Sequence, residues 1–160
     1  MRQEEPLSRL ANTLPLWIAA LLLVAPRPWP DFLSWRLLPA ALTTYWIGAA
    51  MVAAGIAFAV WARYHIGRNW SGVITVKEDH QLVRTGPYGL VRHPIYSGLL
   101  LAIAGSALAR GTLGGLLAVA LVLFSFMRRI ATEERWMTET FGAAYEDYRA
   151  ATSALVPFLC

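Results

Sequence analysis

Cysteine is almost missing from this chain: the one present, Cys160, is the last residue. That excludes a disulfide framework and a cysteine-built zinc site. Cys160 is not expected to be a prenylation signal either, since such a signal needs three residues after the cysteine. Histidine is scarce too. The three, at positions 65, 80 and 93, have no metal-ligand spacing, so no metal is expected. No Gly-x-Gly-x-x-Gly follows a strand-like run, which excludes a Rossmann-type cofactor site. Ser71 and Ser97 show no triad setting. Charge is thin, with 15% of the 160 residues being Asp, Glu, Lys or Arg.

What fills the space is apolar. The chain is 57% hydrophobic, with a mean hydropathy of +0.46. That is too apolar for an ordinary soluble domain of this size. The formal net charge of +4 would suit nucleic acid if the basic residues clustered by themselves. They flank the apolar runs instead, so the expected partner is a membrane and not nucleic acid.

Four uncharged runs occupy 10–26, 37–62, 94–109 and 111–127. A bilayer core of about 30 Å needs roughly 20 helical residues. The second run meets that alone, and the others need flanking residues. Glu4 and Glu5 ahead of the first run argue for a retained span and against a cleaved leader. As one helix, the third and fourth runs would be about 51 Å long, too much for one crossing. "ARGTLGG" (109–115) carries three glycines between them, which predicts a tight helical hairpin turning near Gly111. The expected fold is an all-α integral membrane protein with about four transmembrane helices.

Orientation follows from the basic residues. With four spans, only Arg27, Arg36 and Arg110 fall on one side. The rest of the 14 lysines and arginines share the other side with both termini and the 63–93 loop. That side is therefore expected to be cytoplasmic, with the chain in the inner membrane. Small residues at Ala49, Ala53 and Ala57, at Gly98, Ala102 and Ser106, and at Gly114 and Ala118 offer faces for close helix packing.

The loop at 67–89 is long for a connection between spans. Val73–Val76 and Gln81–Val83 are expected to pair as a short hairpin, and Gly86-Pro87 to force a turn before Tyr88. Folding the fourth run back along the third, residue against residue, sets Pro94 beside Arg128 and His93 beside Arg129. Glu133 and Glu134 then fall about one turn further out, roughly 6 Å. Arg129 and Glu133, four apart, are placed to pair. The expectation is a polar pocket at one rim, holding Arg92, His93, Tyr96, Glu133 and Glu134.

The residues of that rim also carry a resemblance. "LVRTGPYGLVRHPIYSG" (82–98) followed by "RIATEERWMTETFGAAYEDYRAATSALVPFL" (129–159) resembles the isoprenylcysteine carboxyl methyltransferase family and its phospholipid methyltransferase relatives. The family order is matched by Gly86-Pro87-Tyr88, by Arg92-His93-Pro94 with Tyr96 and Gly98, and by Glu133-Glu134. Phe141-Gly142 with Tyr145 and Tyr148, then Val156-Pro157, complete it. "GRNWS" (67–71) is similar to the start of the family's loop. The match covers residues 64–158; the first two spans carry none of it.

The resemblance implies one membrane methyltransferase domain over 1–160, with 1–62 as two N-terminal spans and 63–160 as the catalytic region. It implies S-adenosyl-L-methionine as cofactor, in a cytoplasmic pocket, and a lipid-like acceptor entering from the bilayer. Carried over by position, Gln81, Leu82, Val83, Gly86, Tyr88, His93, Pro94, Tyr96, Glu133 and Glu134 would contact the cofactor. Arg92, Arg129 and Glu133 would be catalytic, Arg129 by orienting an anionic acceptor. An ionised carboxylate needs no base to attack a methyl sulfonium, whereas an amine must first lose a proton. Rival readings are an NADPH-dependent lipid reductase, a phospholipid N-methyltransferase and a non-enzymatic scaffold. Reductases with a similar Arg-His-Pro-x-Tyr segment usually carry asparagine before the tyrosine and an acidic residue soon after. Ile95, Ser97 and Gly98 stand at those places here.

Overall fold

The computed structural model describes residues 6–25, 30–67 and 82–157. Within them the chain forms five α-helices and two short 3-10 turns. The helices are α1 (Pro6–Val24), α2 (Leu42–Ile66), α3 (Pro94–Arg110), α4 (Leu113–Phe141) and α5 (Ala143–Ala151). The 3-10 turns are Asp31–Ser34 and Gly86–Gly89. The strand pair expected between 73–76 and 81–83, and "GRNWS", lie outside the described residues, Leu82, Val83 and Gly67 excepted.

Two helices, α2 and α4, are long and apolar enough to cross a membrane. The apolar part of α1 (Leu10–Val24) and α3 are shorter. At 17 residues, α3 is about 26 Å long, a little under a bilayer core. The fourth apolar run does not end its helix at Met127. It continues as helix through the charged segment to Phe141, giving 29 residues. That extension carries the two glutamates. Large apolar side chains such as Trp17, Leu21, Trp46, Trp61, Leu116 and Phe124 are exposed along the helices, as lipid-facing surfaces require.

The hairpin forms at Gly111. Gly111 takes the left-handed conformation (φ 60°, ψ 30°) and its N–H bonds Ala107 O at 2.9 Å, closing α3. Glycine adopts that conformation without a Cβ clash. Thr112 then caps α4, its hydroxyl accepting from Gly115 N at 3.2 Å. The segment before α2 laces over this turn: Leu37 N donates to Gly111 O at 2.7 Å, and Leu113 N to Trp35 O at 2.9 Å.

Across the bundle the helices follow one another as α1, α4, α3, α2. Ala19 and Leu22 of α1 meet Ala118, Val122 and Phe126 of α4 in an apolar core. The α2–α3 contact is closer still. A Cβ built on Gly55 would lie 2.4 Å from Gly98 O, and one on Gly48 2.5 Å from Gly105 O. Backbone therefore touches backbone at two levels, seven residues apart on each helix. The face of α2 that does this is Gly48, Gly55, Ala59 and Ala62, all buried. The expected Ala53 and Ala57 point outward and are exposed. Glycine wins the contact because alanine's methyl would hold the helices apart. On α3 and α4 the expected Gly98, Ala102, Gly114 and Ala118 are buried at contacts.

Candidate active site

The register expected for the hairpin is the one observed near its turn and near its rim. Gly115 packs on Ala107, an added Cβ falling 3.2 Å from its Cα. Tyr96 packs on Phe126 with ring centroids 4.7 Å apart. Yet Glu133 and Glu134 reach the level of His93 and Tyr96 and do not stop a turn beyond it. Helix side chains lean toward their own N-terminus. In an antiparallel pair that tilts Tyr96 outward toward the rim and Glu133 back toward the turn. The two meet: Tyr96 Oη donates to Glu133 Oε1 at 2.6 Å.

A connected cluster grows from that bond. The other Glu133 oxygen, Oε2, lies 3.5 Å from His93 Nδ1. On the far side of the same ring, His93 Nε2 lies 3.3 Å from Glu134 Oε1. Arg92 grips that oxygen twice, Nε at 2.8 Å and Nη2 at 2.7 Å. Arg149 Nε approaches Glu134 Oε2 at 3.5 Å. The Arg92, His93 and Glu134 side chains are about one-tenth exposed, and Glu133 is 23% exposed.

Sequence order puts Arg92 and His93 just ahead of Pro94, which opens α3 where a missing N–H costs nothing. Their own N–H groups are satisfied from the C-terminal segment after α5. Arg92 N donates to Ser153 O at 2.8 Å and His93 N to Ala154 O at 3.0 Å. Arg92 Nη1 donates to Arg149 O at 3.0 Å and also to Thr152 O. Ser97 Oγ donates to Leu155 O at 2.5 Å. Residues 152–155 are thus a strap across the start of α3. Nothing in the side chains announced it, because its acceptors are main-chain carbonyls.

The Gly86–Gly89 turn stands beside the cluster. Tyr88 is buried, and its carbonyl accepts a 2.5 Å bond from Tyr148 Oη on α5. Arg84 lies over the Tyr148 ring at 5.6 Å and donates to Ala144 O. Burial pushes the Tyr148 phenol up to about 12, so it remains a neutral donor at physiological pH. Burial likewise raises Tyr88, with Tyr148 and Glu133 adding to it. Leu82 and Val83 are half-buried just ahead of the turn. Gln81 lies outside the described residues.

Arg129 does not take the Glu133 partner expected for it. Among the described residues Glu133 is engaged from α3 by Tyr96 and His93. The Arg129 guanidinium lies 6.0 Å from the Tyr96 ring centroid, and its Nε is buried with no hydrogen-bond partner. A buried donor left open costs about 1–3 kcal/mol; Arg110 Nε, at the far end of α3, is open in the same way.

Both His93 nitrogens face carboxylates, so only the protonated ring donates to each. Burial by itself would lower the His93 pKa, but the bonds and charges of Glu133 and Glu134 outweigh it and hold the value above 6.5. A group whose pKa is raised by folding stabilises the fold fully below its unfolded value. That contribution is lost as pH rises through the higher folded value. Thermal stability is therefore expected to fall as pH is raised from about 6.5, the unfolded histidine value. His93→Gln should flatten that slope; an equal slope in the variant would move the effect elsewhere.

Apolar helices with exposed apolar faces, closing at one end on a buried ionic cluster, define a membrane protein with a polar site at its rim. The phospholipid methyltransferase family model matches residues 43–144, and the chain belongs to that family. A protein-S-isoprenylcysteine O-methyltransferase of Schizosaccharomyces pombe is 35% identical over 101 residues, covering 61% of this chain and 43% of that one. A probable protein-S-isoprenylcysteine O-methyltransferase of Oryza sativa subsp. indica is 32% identical over 136 residues, covering 81% and 71%. The nickel-cobalt-cadmium resistance protein NccN of Alcaligenes xylosoxydans xylosoxydans is 31% identical over 157 residues, covering 86% and 72%. The chain thus spans under half of the fission-yeast relative and about seven-tenths of the other two.

Proposed function

We propose that this protein transfers a methyl group from S-adenosylmethionine to the carboxylate of a lipid-like acceptor drawn from the bilayer. The observation that carries the acceptor assignment is the open, buried Nε of Arg129 beside Tyr96. In this reading α1 to α4 make four crossings, with both termini and the ionic cluster on the cytoplasmic side.

The residues present fit the cofactor's charges. Glu133, the more exposed of the two carboxylates, and the Tyr88 and Tyr96 rings suit cationic groups. His93, Pro94, Gly86, Leu82 and Val83 would wall the same space. When bound, S-adenosylmethionine supplies an electrophilic methyl on a sulfonium. The protein's share is alignment and exclusion of water. Arg129 orients the acceptor carboxylate, which needs no general base. Arg92 has all three nitrogens engaged within the protein, so its part is to hold Glu134 and the strap in place.

Equilibrium binding to detergent-purified protein tests the reading. Labelled S-adenosylmethionine should bind; binding of NADPH in its place would overturn the assignment. Arg129→Met should leave methyl-donor affinity intact and lower kcat/KM for a carboxylate acceptor by about 10- to 100-fold, the loss of one charged hydrogen bond. An unchanged kcat/KM removes Arg129 from the acceptor.

A further inference from the structure

We infer that His65, at the end of α2, is a positioning residue for the methyl-donor site, acting through the Gly86–Gly89 turn. This rests on the methyl-donor reading above.

His65 belongs to the half of the chain that the ionic cluster does not use, yet it makes three contacts with this turn. Its Nε2 is 2.9 Å from Thr85 Oγ1. Its ring stacks on Tyr88, with centroids 6.4 Å apart and an interplanar angle of 25°. Its edge fills the space over Gly86, where an added Cβ would fall 2.7 Å from Cε1. Gly86 also sits at φ +59°, so the turn needs glycine both for its backbone and for the imidazole above it.

The turn is gripped from two sides. Tyr148 and Arg84 tie it to α5, and His65 ties it to α2. The α2 helix meets α3 backbone to backbone at Gly55 and Gly98, so His65 ties the turn to that closely packed pair. What the turn carries is Tyr88, whose phenol feels the Glu133 charge. Through His65 the plane of Tyr88 is set relative to the carboxylates of α4, although no side chain of α2 belongs to the cluster.

The test is the dissociation constant for S-adenosylmethionine with kcat at saturating donor. His65→Ala should raise Kd about tenfold, from loss of one hydrogen bond and one ring stack, with kcat within about twofold of wild type. His65→Phe, which keeps the stack, should recover part of the affinity. Tyr64→Ala, at an exposed neighbour on α2, should change nothing. Thr85→Val probes the same contact from the other side and serves if His65→Ala does not fold. Wild-type Kd in both His65→Ala and Thr85→Val overturns the inference. A wild-type protein that binds no S-adenosylmethionine overturns the methyl-donor reading first, and this inference with it.

Discussion

Gly55→Leu is expected to prevent α2 and α3 from assembling, and even Gly55→Ala to lower the melting temperature by roughly 2–12 °C. The new Cβ would sit 2.4 Å from Gly98 O and 2.7 Å from Ala102 N. Those are backbone atoms in a helix, and neither can rotate away as a side chain would. The clash is reciprocal: a Cβ on Gly98 meets Gly55 O at 2.5 Å. Relief requires the helix axes to separate, which opens the partner crossing at Gly48 and Gly105. Overpacking in a well-packed core costs about 1–3 kcal/mol, and a protein of this size loses about 2–4 °C per kcal/mol. Ala53→Leu, on the exposed face of the same helix, is expected to leave melting unchanged. Equal loss at positions 53 and 55 would show that α2 packs through a different face.

Glu134→Ala is the second change with a large expected effect. It leaves Arg92 and His93, both about one-tenth exposed, without their shared counter-charge. Breaking a buried pair from one side costs about 3–5 kcal/mol, because the remaining charge is stranded. Methyl-donor binding is expected to disappear as well, since the strap and the start of α3 are held through Arg92. Replacing both partners, Arg92→Met with Glu134→Leu, should cost less than the two single changes together. A double-mutant cycle reads this as a coupling on the order of 0.5–3 kcal/mol. Additive losses would mean that Arg92 and Glu134 are not energetically joined.

The hairpin was legible in the sequence because its signals are local. An uninterrupted helix would have been too long, and Gly111-Thr112 supplies a stop and a cap in adjacent positions. The meeting of Arg92, His93 and Tyr96 with Glu133 and Glu134 followed from that turn and from residue types that need partners when buried. The register was legible; the reach of the glutamates was not, because residue-against-residue matching follows Cα positions and ignores side-chain tilt. Alanine spacing misidentified the packing face of α2, since a pattern of small residues does not say which of two faces has the smaller ones in contact. Gly48 and Gly55, seven apart, were the better signal. The roles of His65 and of residues 152–155 had no signature, one because the partner turn is distant in sequence, the other because carbonyl oxygens are the same in every residue.

The strap also sets an order of events. Arg92 waits for a carbonyl made 60 residues later, at Thr152. Helices α1 to α4 all precede that carbonyl in the chain. A chain that stopped before residue 152 would leave the Arg92 and His93 N–H groups without these acceptors. The rim that Arg92 organises is therefore complete only once residues 152–155 have been made and have docked against the start of α3.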